Sequence, residues 1–265
     1  MYGKFQLAFK YIHYYLTAAN GKGHGIHSPL VFNFITHILN DKRFFYAYDY
    51  VERLRAHLLI NNTPIEVQDY GAGSSIMASR TRTIKDIARW SLKSPKYAQL
   101  LFRMVHYYQP QTIVELGTSF GTTTAYLATA NPTSEVFTFE GAETIATLAK
   151  QHFAYLNLHN IHLITGNFDS TVQPALQKMR HVDLAFIDGN HRKEPTLNYF
   201  NWLLPYAQSA SIFVFDDIHW SAEMEEAWRI IQSHSSVTCS IDLFFIGIVF
   251  FTPDIKVKQN FSIRF

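Results

Sequence analysis

A glycine-rich turn after a short apolar segment is the first feature of this sequence that could do chemistry. Residues 112–116 read Thr-Ile-Val-Glu-Leu, and Gly117 and Gly121 follow before a run of small residues. This order predicts a buried strand, a tight turn and the start of a helix, an arrangement with which α/β proteins hold nucleoside-bearing ligands. Glu115 precedes the first glycine, and the G-x-G-x-x-G pattern of dinucleotide sites is absent at Gly117. The turn therefore favours a nucleoside ligand other than a dinucleotide.

An acidic residue at the end of the next predicted strand supports this interpretation. Residues 135–140 read Glu-Val-Phe-Thr-Phe-Glu, and a carboxylate at the position of Glu140 can accept hydrogen bonds from both ribose hydroxyls. A competing turn at Gly71-Ala72-Gly73 is followed by no second strand that ends in an acid. We interpret the competing turn as a connection between the helical part and the fold proper, with ligand contact as the alternative.

The segments around these residues alternate between strands and helices from residue 111 onward. Helices are predicted before that point at 5–16, from Ser28-Pro29, at 44–60, 84–92 and 95–108. Strands are then predicted at 113–116, 136–140, 162–165, 182–188 and 212–217, with helices at 123–129, 143–156, 171–179, 195–206 and 222–232. Residues 237–251 are rich in strand formers, and 261–265 is a further short strand candidate.

This alternation predicts an α/β fold of the Rossmann-like, doubly wound type. The sheet is expected to be mostly parallel and seven-stranded, with an antiparallel C-terminal edge. The expected organisation is an N-terminal helical extension over residues 1–108 and a ligand-binding domain over residues 109–265.

Composition narrows the class of protein. The chain has 265 residues, and its hydrophobic content of 48% argues against disorder. Its net charge of +2 disfavours a nucleic-acid surface. Cys239 is the single cysteine, and we interpret it as a small buried residue. The most apolar run, residues 243–251, is shorter than the ~20 residues that a membrane-spanning helix needs. No secretory signal is recognised, and we expect a soluble cytoplasmic protein.

The sequence resembles the class I S-adenosylmethionine-dependent methyltransferases. The resemblance is carried by Glu115-x-Gly117-x-x-x-Gly121, by Glu140, and by the segments Phe186-Ile-Asp-Gly-Asn-His191 and Phe215-Asp-Asp-Ile-His-Trp220. The last two segments look like the fourth and fifth strand ends of the O-methyltransferase branch, which includes catechol-type and macrocin-type enzymes. The resemblance extends from about residue 111 to residue 251.

The resemblance implies a site for S-adenosylmethionine. Glu115 is expected to orient the loop or to meet the cofactor's ammonium group through water, and Glu140 to bind the ribose. Asn167 and Phe168 are expected to meet the adenine, although the family more often has Asp at the position of Asn167. The residues that we expect to contact the cofactor are Glu115, Gly117, Thr118, Ser119, Gly121, Thr122, Glu140, Asn167, Phe168 and Asp188.

The resemblance also implies a metal and a base. Asp188, Asp216 and Asp217 follow two neighbouring strands, and three such oxygens suit a hard divalent ion, most simply Mg²⁺. Catechol-type enzymes carry Asn at the position of Asp217. His191 stands where those enzymes have a catalytic Lys, so we expect His191 and Asp188 to be catalytic, with His219 as a second candidate base. Strand-end acids that bind no metal are the alternative.

The function expected from these residues is metal-assisted O-methylation of a small hydroxylated substrate. The N-terminal helices are expected to cover the site, where His24 and His27 could line the acceptor pocket, or to form a homodimer face. No nucleic acid or membrane partner is expected. The alternatives are a non-catalytic methyltransferase-fold binding protein and, third, a nicotinamide-dependent oxidoreductase.

Overall fold

The structure is a computed structural model, and it describes residues 1–67 and 81–265. The α-helices of these residues are α1 (Lys4–Thr17), α2 (Pro29–Phe34), α3 (Tyr46–Ile60), α4 (Ile84–Ser91), α5 (Pro95–Tyr108), α6 (Thr122–Ala130), α7 (Glu143–Tyr155), α8 (Phe168–Leu176), α9 (Lys193–Leu203) and α10 (Ala222–Ser233). A π-helix at Ile35–Leu39 continues α2, and a 3-10 helix at Leu204–Tyr206 continues α9. The strands are β1 (Pro64–Glu66), β2 (Thr81–Thr83), β3 (Thr112–Leu116), β4 (Glu135–Glu140), β5 (Ile161–Thr165), β6 (Val182–Ile187), β7 (Ala207–Asp216), β8 (Cys239–Asp242), β9 (Ile246–Phe250) and β10 (Gln259–Ser262).

The described chain forms two compact units. The central unit is Lys42–Met179, and the terminal unit combines Met1–Asp41 with Arg180–Phe265. The boundary predicted at residue 108 stays a prediction. No helix among residues 1–67 and 81–265 is both long and apolar enough to cross a membrane.

The central unit contains three parallel strands in the order β3, β4, β5. Apolar residues of β3 are fully buried because parallel strands are covered on both faces. Helices α3 and α4 belong to this unit, where their apolar side chains pack in one cluster with Phe120 of the glycine turn and with the start of α7. The helices predicted at 44–60 and 84–92 therefore support the turn directly.

The terminal unit contains five strands. β6 and β7 are parallel neighbours, β9 is antiparallel to both β7 and β8, and β10 runs parallel to β8. A Cβ on Gly247 of β9 would lie 2.7 Å from the indole of Trp228, so this glycine lets α10 pack closely on the strand. Cys239 is buried as expected, and burial raises the pKa of its thiol to about 12.

The predicted fold class is confirmed as α/β, mostly parallel and Rossmann-like, with antiparallel pairing at β9. The prediction of seven strands is one too few, because β10 also pairs with β8. Strands β3–β5 and β6–β10 number eight in the described residues, and β1 and β2 pair separately. All five strands predicted between residues 113 and 217 are present, and β7 begins at Ala207 instead of residue 212.

Candidate functional site

The glycine turn of the central unit is fixed to the neighbouring strand by backbone hydrogen bonds. The N–H groups of Gly117 and Thr118 both donate to the carbonyl of Phe139 at 3.0 Å. Gly117, Ser119 and Gly121 have φ values of 108°, 49° and 81°, the left-handed region that glycine adopts without strain. The turn therefore reverses the chain sharply between β3 and α6.

Glu115 lies beneath this turn and is fully buried. Its Oε2 accepts hydrogen bonds from Thr124 Oγ1 at 2.5 Å and from Thr138 Oγ1 at 2.6 Å. Its Oε1 is buried and has no hydrogen-bond partner among the residues that the structure describes. Burial, opposed by the two threonine hydrogen bonds and assisted by the charge of Glu140, raises the pKa of Glu115 to about 7. The Glu115 carboxyl near the end of β3 thus connects to α6 through Thr124 and to β4 through Thr138. Its Oε1 is a buried acceptor.

The two threonines that donate to Glu115 are members of the candidate site that the sequence interpretation missed. Thr118 Oγ1 lies 2.6 Å from Thr138 Oγ1, which extends the network from Glu115 into the turn. A signal was present in the sequence, since Thr124 lies in the first turn of the predicted helix and Thr138 alternates with apolar neighbours in the predicted strand. Both positions would otherwise be expected to hold apolar residues, because they are buried.

Glu140 ends β4 and closes the turn from the other side. Its Oε2 accepts a hydrogen bond from the Ser119 N–H at 2.8 Å, and its Oε1 accepts one from the Ala142 N–H at 2.9 Å. The carboxylate is therefore held in a fixed orientation at the carboxyl edge of the strand.

Gly121 and Thr122 start α6, with Gly121 as the N-cap residue. A Cβ on Gly121 would lie 2.4 Å from the ring of Phe153 on α7, so this glycine has a packing role in addition to its φ value. His152 Nδ1 contacts the Phe120 carbonyl at 2.9 Å, which further fixes the turn against α7. The turn's shape is thus set by packing within the central unit.

Asn167 and Phe168 begin α8, three residues earlier than the helix predicted from residue 171. The Asn167 side chain accepts a hydrogen bond from the Asp169 N–H at 2.9 Å and caps the helix. Phe168 lies edge-on to Phe139, with ring centroids 6.5 Å apart. Asn167 therefore has a structural function as a cap, and contact of both residues with adenine stays a prediction.

The acidic residues of the terminal unit form a small cluster with a histidine. Asp188, His191 and Asp216 are the group of potential metal ligands among residues 1–67 and 81–265, with ligand atoms within 4.8 Å of one another. His191 Nε2 lies 3.5 Å from Asp188 Oδ1. Asp217 is not in this group. Its φ is 53°, and its N–H donates to the Phe245 carbonyl at 2.7 Å.

His219 is held between two carboxylates and is therefore a poor candidate base. Its Nδ1 lies 3.0 Å from Glu225 Oε1, and its Nε2 lies 2.8 Å from Asp242 Oδ2. Burial lowers the pKa of His219, but the hydrogen bonds and charges of Asp242 and Glu225 outweigh burial and raise it. Lys10 of α1 also contacts Glu225 at 2.9 Å. The imidazole thus has both nitrogens engaged and serves to fix the segment after β7.

The competing turn at Gly71-Ala72-Gly73 lies outside the described residues, so its predicted role is not addressed by the structure. Glu140 contacts the turn through the Ser119 N–H, and Glu115 is joined to it through Thr138 and Thr118. Cofactor binding by the predicted residues of the central unit stays a prediction. The predicted contact of Asp188 with the cofactor stays a prediction.

Comparison with known proteins gives a family match over the middle of the chain. Residues 114–218 match a family model described as a methyltransferase domain. A tRNA (guanine-N(7)-)-methyltransferase of Mycoplasma mobile is 33% identical over 103 residues, which are 38% of this chain and 51% of that protein. The matched segments span about half or less of the curated relatives' lengths.

Solved structures share the fold at low sequence identity. The O-methyltransferase TomG from Streptomyces achromogenes, in complex with S-adenosylmethionine, has a TM-score of 0.52 and 20% identity, covering 61% of this chain and 82% of its own. An O-methyltransferase from Bacillus cereus, in complex with S-adenosylhomocysteine, has a TM-score of 0.56 and 19% identity, covering 83% and 97%. Residues 114–218 are therefore similar in sequence to a methyltransferase domain, and the chain shares its fold with these two solved O-methyltransferases.

Proposed function

We propose that the chain is an S-adenosylmethionine-dependent methyltransferase that transfers the methyl group to an oxygen of a small hydroxylated molecule. The observation that carries the proposal is the Glu140 carboxylate, fixed by the Ser119 N–H at the edge of the glycine turn. When bound there, S-adenosylmethionine would supply an electrophilic methyl group. The described residues would bind and orient the cofactor, and alignment of the two reactants would provide much of the rate enhancement.

The residues of the turn fit the polar groups of this cofactor. The buried Oε1 of Glu115 is an acceptor suited to an ammonium group. A hydrogen bond from that group would give a partner to an atom that has none among the described residues. The N–H groups at the start of α6 suit a carboxylate, because the N-terminus of a helix favours negative charge. Glu140 suits the two ribose hydroxyls. The absence of the G-x-G-x-x-G pattern at Gly117 disfavours a dinucleotide.

A divalent metal is the second part of the proposal. Asp188 and Asp216 offer carboxylate oxygens at the ends of neighbouring strands, whereas Asp217, the third ligand expected from the sequence, is not in the group of ligand atoms that lie within 4.8 Å of one another. An ion held by these side chains would lower the pKa of an acceptor hydroxyl. His191, whose Nε2 lies 3.5 Å from Asp188 Oδ1, would accept or relay the proton if it binds no metal.

Calorimetric titration tests the cofactor part. We expect S-adenosylmethionine to bind and NAD not to bind. Glu140→Ala should weaken cofactor binding by about tenfold or more, because it removes charge-assisted hydrogen bonds, each worth about 1.5–3 kcal/mol. Glu143→Ala is the matched control, since Glu143 is an exposed acid three residues away in the first turn of α7.

Thermal unfolding of both variants would show that the turn still folds. Equal affinity of Glu140→Ala and the wild type for S-adenosylmethionine, or tighter binding of NAD, would contradict the proposal. Binding without methyl transfer to any phenol, catechol or sugar hydroxyl in a panel of acceptors would favour the non-catalytic alternative.

A further inference from the structure

We propose that His191 is a metal ligand together with Asp188 and Asp216, and that the ion is a transition metal such as Mn²⁺ instead of Mg²⁺. The ligand atoms of the three side chains lie within 4.8 Å of one another. This inference rests on the proposed function, whose metal it identifies by class. It gives His191 a coordinating role in place of the role as a base that the sequence suggested.

The sheet register brings the two carboxylates together. Ile187 of β6 is the partner of Phe215 in β7, so Asp188 and Asp216 are the next residues on two parallel neighbours. Side chains at matched positions of adjacent strands lie on the same face of a sheet, and successive side chains alternate between faces. This alternation places Asp216 beside Asp188, while Asp217 follows it in a left-handed conformation with φ 53°.

The turn after β6 brings the imidazole of His191 close to Asp188 and Asp216. Asn190 has φ 48°, which reverses the chain before α9 begins at Lys193. His191 Nε2 then lies 3.5 Å from Asp188 Oδ1. Neighbouring ligand atoms around an octahedral ion with bonds of about 2.1 Å are about 3 Å apart. A contraction of about 0.5 Å would therefore let both atoms bind one ion.

The donor atoms decide which ion is preferred. Two carboxylate oxygens and one imidazole nitrogen form a mixed set, whereas Mg²⁺ selects oxygen ligands and keeps several waters. Imidazole nitrogen suits first-row transition metals, and Mn²⁺ also accepts carboxylates readily. Three protein ligands would leave positions on a six-coordinate ion for two oxygens of an acceptor. Asp216 is only 2% exposed, and a bound cation would offset the cost of burying its charge beside Asp188.

Pulsed electron paramagnetic resonance of the full chain, stripped with a chelator and reloaded with Mn²⁺, tests this inference. A coordinated imidazole produces ¹⁴N modulation of the Mn²⁺ signal. We expect this modulation in the wild type and in Asp217→Asn, and its loss in His191→Ala. The affinity for Mn²⁺, measured by titration, should fall by about tenfold or more in His191→Ala.

The matched control is His181→Ala. His181 Nε2 lies 3.4 Å from Asp183 Oδ1, an equivalent histidine–aspartate pair near the opposite end of β6. This variant should keep both the ¹⁴N modulation and the wild-type affinity. His191→Asp is a second variant, which should keep Mn²⁺ binding, lose the modulation and raise the affinity for Mg²⁺ relative to Mn²⁺.

Three results would overturn the inference. They are Mn²⁺ binding without ¹⁴N modulation, loss of binding in Asp217→Asn but not in His191→Ala, and no Mn²⁺ binding by a protein that binds S-adenosylmethionine. The proposed function fails on a different measurement, the titration with S-adenosylmethionine. Mn²⁺ binding with the predicted modulation, in a protein that does not bind that cofactor, would leave the ligand assignment intact and refute only the methyltransferase proposal.

Discussion

At the scale of single residues, Glu115 links the fold to the candidate function. The carboxyl is fully buried, and its raised pKa of about 7 means that the folded protein holds a proton there below neutral pH. In the unfolded chain the same group ionises near 4.5. Because the folded state binds the proton more tightly, the stability from this group is fully present below pH 4.5 and is lost as pH rises towards 7.

Glu115→Gln tests this pH dependence. The variant keeps an acceptor for Thr124 and Thr138 and cannot ionise, so it should be more stable than the wild type at pH 8 by up to about 3 kcal/mol. The difference should shrink towards zero near pH 4.5. Urea denaturation across this pH range is the measurement, with the exposed Glu143→Gln as control. A difference that does not change with pH would contradict the prediction.

Residue types and spacing indicated most of the candidate site, but not the side chains that contact its residues from other helices and strands. Glu115, Gly117 and Glu140 were recognisable because their chemistry depends on spacing within one βα unit. The carboxylates around His219 were not, because Glu225 and Asp242 reach it from α10 and β8. Asp188 and Asp216 were recognisable at the ends of two predicted strands, but the sequence named Asp217 as their third ligand, because the conformation of the turns after β6 and β7, which brings His191 to these two acids, is not visible in residue spacing.

At the scale of elements, the connection from β3 through the turn to α6 depends on close packing at Gly121. The residue has φ 81°, and a Cβ would lie 2.4 Å from Phe153. Gly25 has nearly the same conformation, with φ 80°, but a Cβ there would meet nothing within 4 Å. The two glycines therefore separate the cost of backbone strain from the cost of a steric clash.

Gly121→Ala should destabilise the protein more than Gly25→Ala. A left-handed conformation costs a residue with a Cβ about 1–2 kcal/mol, which both variants would show. Overpacking against Phe153 adds about 1–3 kcal/mol in Gly121→Ala alone. Urea denaturation measures both values, and Gly121→Ala combined with Phe153→Leu should recover part of the additional loss. Equal destabilisation by the two single variants would contradict the prediction, because it would show that α7 moves to accommodate the extra methyl group without cost.

Element positions were predicted well where hydrophobic periodicity was strong. The strands between residues 113 and 217 and the helices α3, α4 and α5 lie within a few residues of their predicted bounds, apart from the longer β7. α8 begins earlier than predicted, because Asn167 caps it and the sequence interpretation assigned that residue to the ligand. The parallel pairing of β10 with β8 was not predicted, since a four-residue strand carries too little pattern to fix its direction.

At the scale of the whole molecule, α1 presents an apolar stripe that residues 1–67 and 81–265 leave exposed. Phe5, Phe9, Ile12 and Leu16 are 95%, 73%, 56% and 71% exposed, whereas Tyr14 on another face packs against Phe244. Their 4-3-4 spacing matches the seam with which two helices pack as a coiled coil. Phenylalanine side chains bury about 150–250 Å² each, so Phe5 and Phe9 of two copies would bury roughly 600–1,000 Å². Ile12 and Leu16 add to this area, and a specific interface buries about 1,000 Å² or more.

We therefore expect a second copy of this chain to cover the stripe, with α1 packed against its symmetry mate, because identical patches are self-complementary about a two-fold axis. Sedimentation velocity over a concentration series should show a monomer–dimer equilibrium. Phe5→Ser combined with Phe9→Ser should shift it to the monomer, while Trp90→Ser, which removes an 82% exposed side chain from α4, should not. A wild-type monomer at all concentrations, or binding of the wild type to lipid vesicles through the same two phenylalanines, would instead assign the stripe to another partner.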